Sequence, residues 1–368
     1  MGLFKGLLDT FINKTSSLQK NMELISHPVF IKEFCKENVQ IEDLQNIMIT
    51  LDDEEKKERI SRDITYLKQG MFGEQNVFFE LKNANIPFLC LHDIRLEYEG
   101  LSAQIDFLIL TKQYICILET KQLQGNIDVN KEGNFIRVYT DKLGKTTRSG
   151  MYSPVEQNRK HVNLVKKILK EKFNIDKMPV KSLIVMANPK TIIRKSYAPE
   201  EIQEQIIRAE NLESYLSKWI DEIDYNLKED EVFNIANYLK ESHKPITFDY
   251  NAKYKLDEKT SNFNSNKSKM EKYEKQKSHK IVKDEEVLMK CKEIQSDDVN
   301  TLREQLKKFR LETSKRENIR AYFVFNNDEM ESLIEKRPQS EKELLKVRGF
   351  GEKKVEKYGK EILNILKN

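Results

Sequence analysis

The sequence is short of the residues that build fibres, stapled scaffolds and membrane spans. Twelve glycines and eight prolines in 368 residues exclude a collagen-like or proline-rich filament. The four cysteines, Cys35, Cys90, Cys116 and Cys291, are far apart, and three sit among apolar neighbours. The expectation is buried thiols in a reducing, cytoplasmic setting, with no disulfide framework and no cysteine-ligated zinc. The longest apolar runs are strand-sized, such as Ile115–Leu118, whereas a bilayer crossing needs roughly 18 residues, so no transmembrane segment is expected. Residues 1–16 do not read as a secretory signal, because they are amphipathic and carry Asp9.

A chain of 368 residues exceeds one ordinary domain, which implies two globular units and connecting material. Hydrophobic residues at 38%, charged residues at 34% and a mean hydropathy of −0.68 suit a soluble protein with strongly solvated stretches. The net charge of +4 is unevenly spread. From Asn251 onward there are 29 Lys and Arg against 22 Asp and Glu, so this part carries +7 and residues 1–250 carry −3. Such a basic surplus is compatible with phosphate contacts and equally with a solvated surface.

Four regions follow from the patterning. Residues 1–66 read as charged helices, opening on an amphipathic helix with Leu3, Phe4, Leu7, Leu8, Phe11 and Ile12 on one stripe. That helix is expected to dock on its own protein, on a partner or on a second copy, since its polar face lacks the dense Lys and Arg of a membrane-surface helix. Residues 67–250 alternate helices and strands, the pattern of an α/β layer fold. Residues 251–298 have few large apolar side chains and read as a charged linker. Residues 299–368 return to helical stripes, among them Met330, Leu333 and Ile334, and Val355, Tyr358 and Ile362, which predict a small all-helical bundle.

The informative positions are polar groups where the pattern calls for apolar ones. Glu74 falls on the helical stripe of Val77, Phe78 and Leu81. Asp106 interrupts a strand, residues 104–110, that is otherwise apolar on both faces after Gln104. Glu119 and Lys121 end the next apolar strand and project to the same side. Gln157 lies in the first turn of a helix, on the stripe of His161, Leu164, Val165 and Ile168. Each alone has a bland explanation as a cap or an ion pair. Together they place three carboxylates against apolar faces, which costs several kcal/mol unless a cation neutralises them. Phosphodiester hydrolysis needs this set: Asp106 and Glu119 as hard oxygen ligands for Mg²⁺ or Mn²⁺, with Glu74 completing the coordination. Lys121 would stabilise charge on the phosphate and Gln157 would orient a ligand.

Gly73-Glu74, Gln104-Ile105-Asp106, Glu119-Thr120-Lys121 with Gly125, Ser153-Pro154 before Gln157, and Asn188-Pro189-Lys190 together resemble the nuclease-related domain, NERD. NERD is a branch of the restriction-endonuclease-like superfamily. The resemblance spans residues 67–223 and implies a mixed sheet flanked by helices and a metal-dependent nuclease. Its catalytic core would be Asp106, Glu119 and Lys121, supported by Glu74 and Gln157. Phe135 stands where that family suggests a tryptophan.

In the tail, Val347-Arg348-Gly349-Phe350-Gly351 precedes a helix carrying Lys353, Lys354 and Lys357. Two readings stay open here: a phosphate-binding turn at a helix start, or a tight turn whose glycines permit close packing. Residues 299–368 resemble the helicase-and-RNase-D C-terminal domain, HRDC, which implies an accessory module for nucleic acid or protein, with DNA ranked ahead of RNA. The competing reading of the whole chain is a non-catalytic binding or scaffold protein on a nuclease-like core.

Overall fold

The computed structural model describes residues 25–141, 143–256 and 296–367. The expected opening helix, Cys291 and most of the expected linker lie outside the described residues. The chain divides into two compact units, Met1–Lys255 and Leu256–Asn368.

The first unit is built on a six-stranded mixed sheet. Its strands are β1 (Pro28–Lys32), β2 (Phe88–Tyr98), β3 (Leu101–Leu110), β4 (Ile115–Lys121), β8 (Val180–Met186) and β10 (Ile206–Arg208), adjacent in that order. The pairs β2–β3 and β3–β4 are antiparallel, and the other three pairs are parallel. Glu99 and Gly100, both at positive φ, close the tight β2–β3 hairpin. β3 and β4 are apolar on both faces because helices cover both faces.

On one side lies α2 (Glu54–Lys82), preceded by α1 (Val39–Thr50). Its Val77 and Leu81 pack with Phe107, Ile109, Cys116 and Leu118. On the other side, Leu164, Val165 and Ile168 of α3 (Pro154–Phe173) and Val232 and Ile235 of α6 (Glu229–Glu241) pack on Leu108, Leu110, Ile115 and Ile117. Ser153 caps α3 and Pro154 starts it, a position where a missing N–H costs nothing.

Two expectations are corrected. The stretch read as purely helical contains the edge strand β1. The boundary at residues 66–67 falls inside α2, a single 29-residue helix. The helix crosses that point because its N-terminal half is held in the same unit: Asp63 accepts from Tyr254 Oη at 2.6 Å and pairs with Lys253, both on α7 (Tyr250–Tyr254).

A second, four-stranded sheet is formed by β7 (Thr146–Met151), β6 (Phe135–Thr140), β5 (Asn126–Val129) and β9 (Ile193–Arg194), in that order. Three of its strands are inserted in the chain between β4 and α3. Its Ile127, Val129 and Phe135 pack on Val155, Ile184 and Met186. Phe135 is thus a core residue of this small layer. Among the described residues, two further α-helices of the unit are α4 (Glu200–Gln205) and α5 (Leu212–Glu222).

The second unit is the expected helical bundle: α8 (Ser296–Glu317), α9 (Ala321–Val324), α10 (Asn327–Lys336), α11 (Glu341–Leu344) and α12 (Glu352–Lys367). They enclose Leu306, Phe325, Leu333, Leu344, Val355 and Ile362. Leu344 is buried whereas Leu345, just past the end of α11, is exposed. Among the described residues, no helix is long and apolar enough to cross a membrane.

The single tryptophan of the sequence, Trp219, lies in α5 of the first unit and meets Tyr114 edge-on, so its fluorescence reports on that unit alone. Ile117→Ala empties a fully buried site in β4. Urea titration followed by Trp219 emission is expected to show a loss of about 2–5 kcal/mol.

Candidate active site

The site begins where β3 and β4 part. Their pairing runs from Leu110↔Ile115 to Phe107↔Leu118 and stops there, while β4 stays paired with β8 as far as Lys121↔Met186. The Thr120 N–H next in line donates instead to Oδ2 of Asp106 at 2.7 Å. A side-chain carboxylate thus takes up a donor that the ladder leaves unpaired. The same point is kinked on β2. Asp93, opposite Asp106, has φ +51, a left-handed conformation that Asp tolerates better than most residues. Lys32 of β1 donates to the backbone carbonyls of His92 and Asp93 at 2.9 and 2.6 Å. Across this kink the strands change faces. His92 and Phe107 pack with the α2 layer, whereas Ile94 and Ile105 join the α3 layer.

Side chains from both layers converge on this fork. From the α3 side, Glu119 is buried; its Oε1 pairs with Lys121 Nζ at 2.5 Å and its Oε2 accepts from Gln157 Nε2 at 2.9 Å. From the α2 side, Glu74 accepts from His92 Nε2 at 2.8 Å. Gly73 makes this approach possible, since a Cβ there would lie 2.5 Å from Gln122 Cβ. Burial raises the Asp106 carboxyl well above its ordinary value, and the charges of Glu119 and Glu74 push it further. Burial likewise raises Glu119, against the opposing pull of Lys121 and Gln157. His161, one turn beyond Gln157, is held down to about 4 by burial and by the charges of Lys121 and Lys160, so it is neutral near pH 7.

The five expected residues therefore do meet, but not as the expected cage. Among the described residues, no three His, Cys, Asp or Glu side chains are gathered closely enough to hold an ion. Glu74 is engaged by His92 rather than completing such a set. The donor set that remains, Asp106 and Glu119, consists of hard oxygens whose mutual repulsion one lysine does not cancel. It fits Mg²⁺ or Mn²⁺, which usually take one or two protein carboxylates and fill the remaining positions with water. His92 escapes sequence reasoning because it is one of several polar residues in a long strand that also carries Asp93, Arg95 and Glu97. It is 5% exposed, with its ring against Phe34 and Phe107. A cleft of about 330 Å³ opens beside it, lined by Phe34, Cys35, Tyr66, Gly70, Met71, Glu74, His92 and Asp93, among others.

At the glycine turn of the second unit, the structure shows what packs against Gly349. Gly349 has φ +89, and a Cβ there would collide with the Glu329 carboxylate. Glu329 also pairs with Lys354 at 2.8 and 3.0 Å and caps α10 through Asn326 N. Lys357 pairs with Glu317 at 2.6 Å. The glycine thus serves close packing, while Arg348, Gly351 and Lys353 remain exposed.

Comparison with known proteins accords with this architecture. Residues 69–187 match NERD, the nuclease-related domain, and residues 300–366 match the HRDC domain. The chain joins a nuclease-related domain to an HRDC domain. The ATP-dependent DNA helicases UvrD2 of Mycobacterium tuberculosis and Mycobacterium bovis are 32% identical over 81 residues, which is 22% of this chain. The chain spans only 12% of their length. The solved HRDC domain 3 of D. radiodurans RecQ is 36% identical, covering 19% of this chain and 92% of its own, with a TM-score of 0.19.

The raised carboxyls make a prediction with a definite sign. Asp106 and Glu119 bind protons more tightly in the folded protein than in the unfolded chain, so their ionised forms oppose folding. That cost is complete above the raised folded values and vanishes as pH falls to the ordinary carboxylate range near 4. Asp106→Asn keeps an acceptor for the Thr120 N–H and removes one charge. In metal-free buffer at pH 8 it is expected to melt above the wild type, with the gap closing as pH approaches the ordinary range. A lower melting temperature at pH 8 would contradict the charge crowding.

Proposed function

We propose that the first unit is a metal-dependent nuclease acting on DNA, with RNA as the second substrate, and that the HRDC unit adds nucleic-acid affinity. The two domain matches support a nucleic-acid-related function. The observation that carries the finer reading is the meeting of Asp106, Glu119 and Lys121 at the fork, each fixed by a separate donor or acceptor.

Asp106 and Glu119 would hold Mg²⁺ or Mn²⁺, which supplies Lewis acidity toward a phosphodiester and an acidified water. The chain's own residues do the rest. Thr120 N–H fixes Asp106, and Gln157 fixes Glu119, so neither carboxylate has to reorganise. Lys121 places an ammonium where charge on the phosphate oxygens grows, worth more in a half-buried site than in water. Neutral His161 adds no competing charge on the α3 side.

One observation favours the alternative, a non-catalytic nucleic-acid-binding protein: the Lys121 ammonium already neutralises Glu119 directly. Against it, one lysine stands beside two carboxylates, Asp106 and Glu119, and the Asp106 carboxyl stays raised despite it.

Labelled DNA and RNA, incubated with purified protein plus Mg²⁺ or Mn²⁺, separate the two readings. Cleavage is expected, abolished by EDTA and reduced at least about 10²-fold by Asp106→Asn or Lys121→Ala. Wild-type rates in either variant refute this site, and binding without cleavage of any substrate selects the alternative. For the HRDC unit, Lys353→Glu removes a cation with no carboxylate partner among the described contacts. Binding is expected to weaken at low salt, with the salt slope falling by about one.

A further inference from the structure

We infer that the outer face and free edge of the second sheet form a contact surface for the phosphate backbone of the nucleic acid being cut. The inference rests on the nuclease reading and assigns that site a substrate track of its own.

Strand β7 is unusual in that every residue from Thr146 to Gly150 is exposed. Among the described residues it pairs with β6 alone, so its other edge offers backbone groups outside that ladder. Its side chains carry no carboxylate: Thr-Thr-Arg-Ser-Gly supplies hydroxyls, one guanidinium and a glycine that permits close approach. Polynucleotide backbones are bound by this mixture of donors.

The face opposite the apolar side of the sheet is charged in a particular way. Asp128 of β5 pairs with Arg148 of β7 at 2.9 Å and with Arg194 of β9 at 2.8 Å. The guanidiniums are 58% and 53% exposed and the carboxylate 19%. One anion thus holds two cations outward from beneath, leaving a net positive face with spare N–H donors. Residues 122–152 and 188–194 contain seven Lys and Arg against three Asp and Glu, a surplus of four, in a part of the chain, residues 1–250, whose total is −3. An ordinary solvated surface of that acidic segment would not concentrate positive charge here.

This sheet is fixed beside the fork. Arg137 Nε donates to Gln124 O at 2.8 Å, and Asn188 and Thr191 donate to Leu123 O at 2.7 and 3.1 Å, tying the sheet to the segment just after Lys121. Gly125, at φ +92, lets that segment lie against the Val138 carbonyl. At the other end, β7 runs into α3 through Tyr152, which is 61% exposed with Lys160 over its ring, one turn from Gln157. The positive face and the residues flanking the fork are therefore joined through short, hydrogen-bonded segments.

The test is fluorescence anisotropy of the full-length protein with labelled single- and double-stranded DNA and RNA in EDTA, where cleavage does not intervene. Lys145→Glu, at the exposed position just before β7, combined with Arg148→Ala is expected to weaken binding about tenfold at 0.1 M salt, and to lower the slope of log affinity against log salt by about one per lost contact. Asp128→Asn releases both guanidiniums and is expected to tighten binding, whereas a merely structural ion pair would give no gain. Thermal melts confirm that each variant folds. Unchanged affinity in both, or no affinity of the wild type for any nucleic acid, overturns the surface. Asp106-dependent cleavage with unaffected binding removes the surface alone. The expected binding changes without wild-type cleavage leave the surface standing and remove the nuclease reading.

Discussion

The first unit depends on how one backbone N–H is satisfied. When β3 and β4 separate after Phe107 and Leu118, Thr120 would be left with an unpaired donor in a half-buried position, at a cost of about 1–3 kcal/mol. Asp106 supplies the acceptor. The carboxylate is thereby held at the junction of two helical layers, and it cannot be replaced there by an apolar group without stranding the donor. The split, the half-buried acid and the opening between the layers are one feature seen from three sides.

That feature explains why residues from opposite faces of a sheet can act on one spot. An intact sheet would keep Glu74 and His92, on the α2 side, away from Glu119, Lys121 and Gln157, on the α3 side. The left-handed Asp93 and the lysine that steadies it carry the kink across to the neighbouring strand, so both strands change faces at the same level. Lys32 gives the edge strand β1 its purpose in the site, although no residue of that strand approaches Glu119 in the contacts seen.

Much of this was legible in the sequence because the strands around the site are so uniformly apolar. Asp106, Glu119 and Lys121 stand out against Phe107–Leu110 and Ile115–Leu118, and the helical stripes of the second unit locate its core. Other parts gave no such contrast. β1 is five residues without a usable period, and His92 looks like its polar neighbours Asp93, Arg95 and Glu97 in the same strand. A positive φ at Asp93 has no signature when no glycine is present. Glu329, which occupies the Gly349 turn, comes from twenty residues upstream, and only the tertiary structure brings the two together. The pairing of Glu74 with His92 was hidden for the same reason, since it links a helix to a strand across a layer.

The β6–β7 hairpin closes on itself through backbone bonds from Asp141 N–H to the Lys145 carbonyl and from Gly144 N–H to the Asp141 carbonyl, and its tip contacts neither β4 nor α3 in the bonds described. Its length and composition can therefore drift among descendants without disturbing the acidic fork. Such an arrangement separates what an enzyme does to a polymer from which polymer it meets, so that selection can retune the second while the first stays fixed.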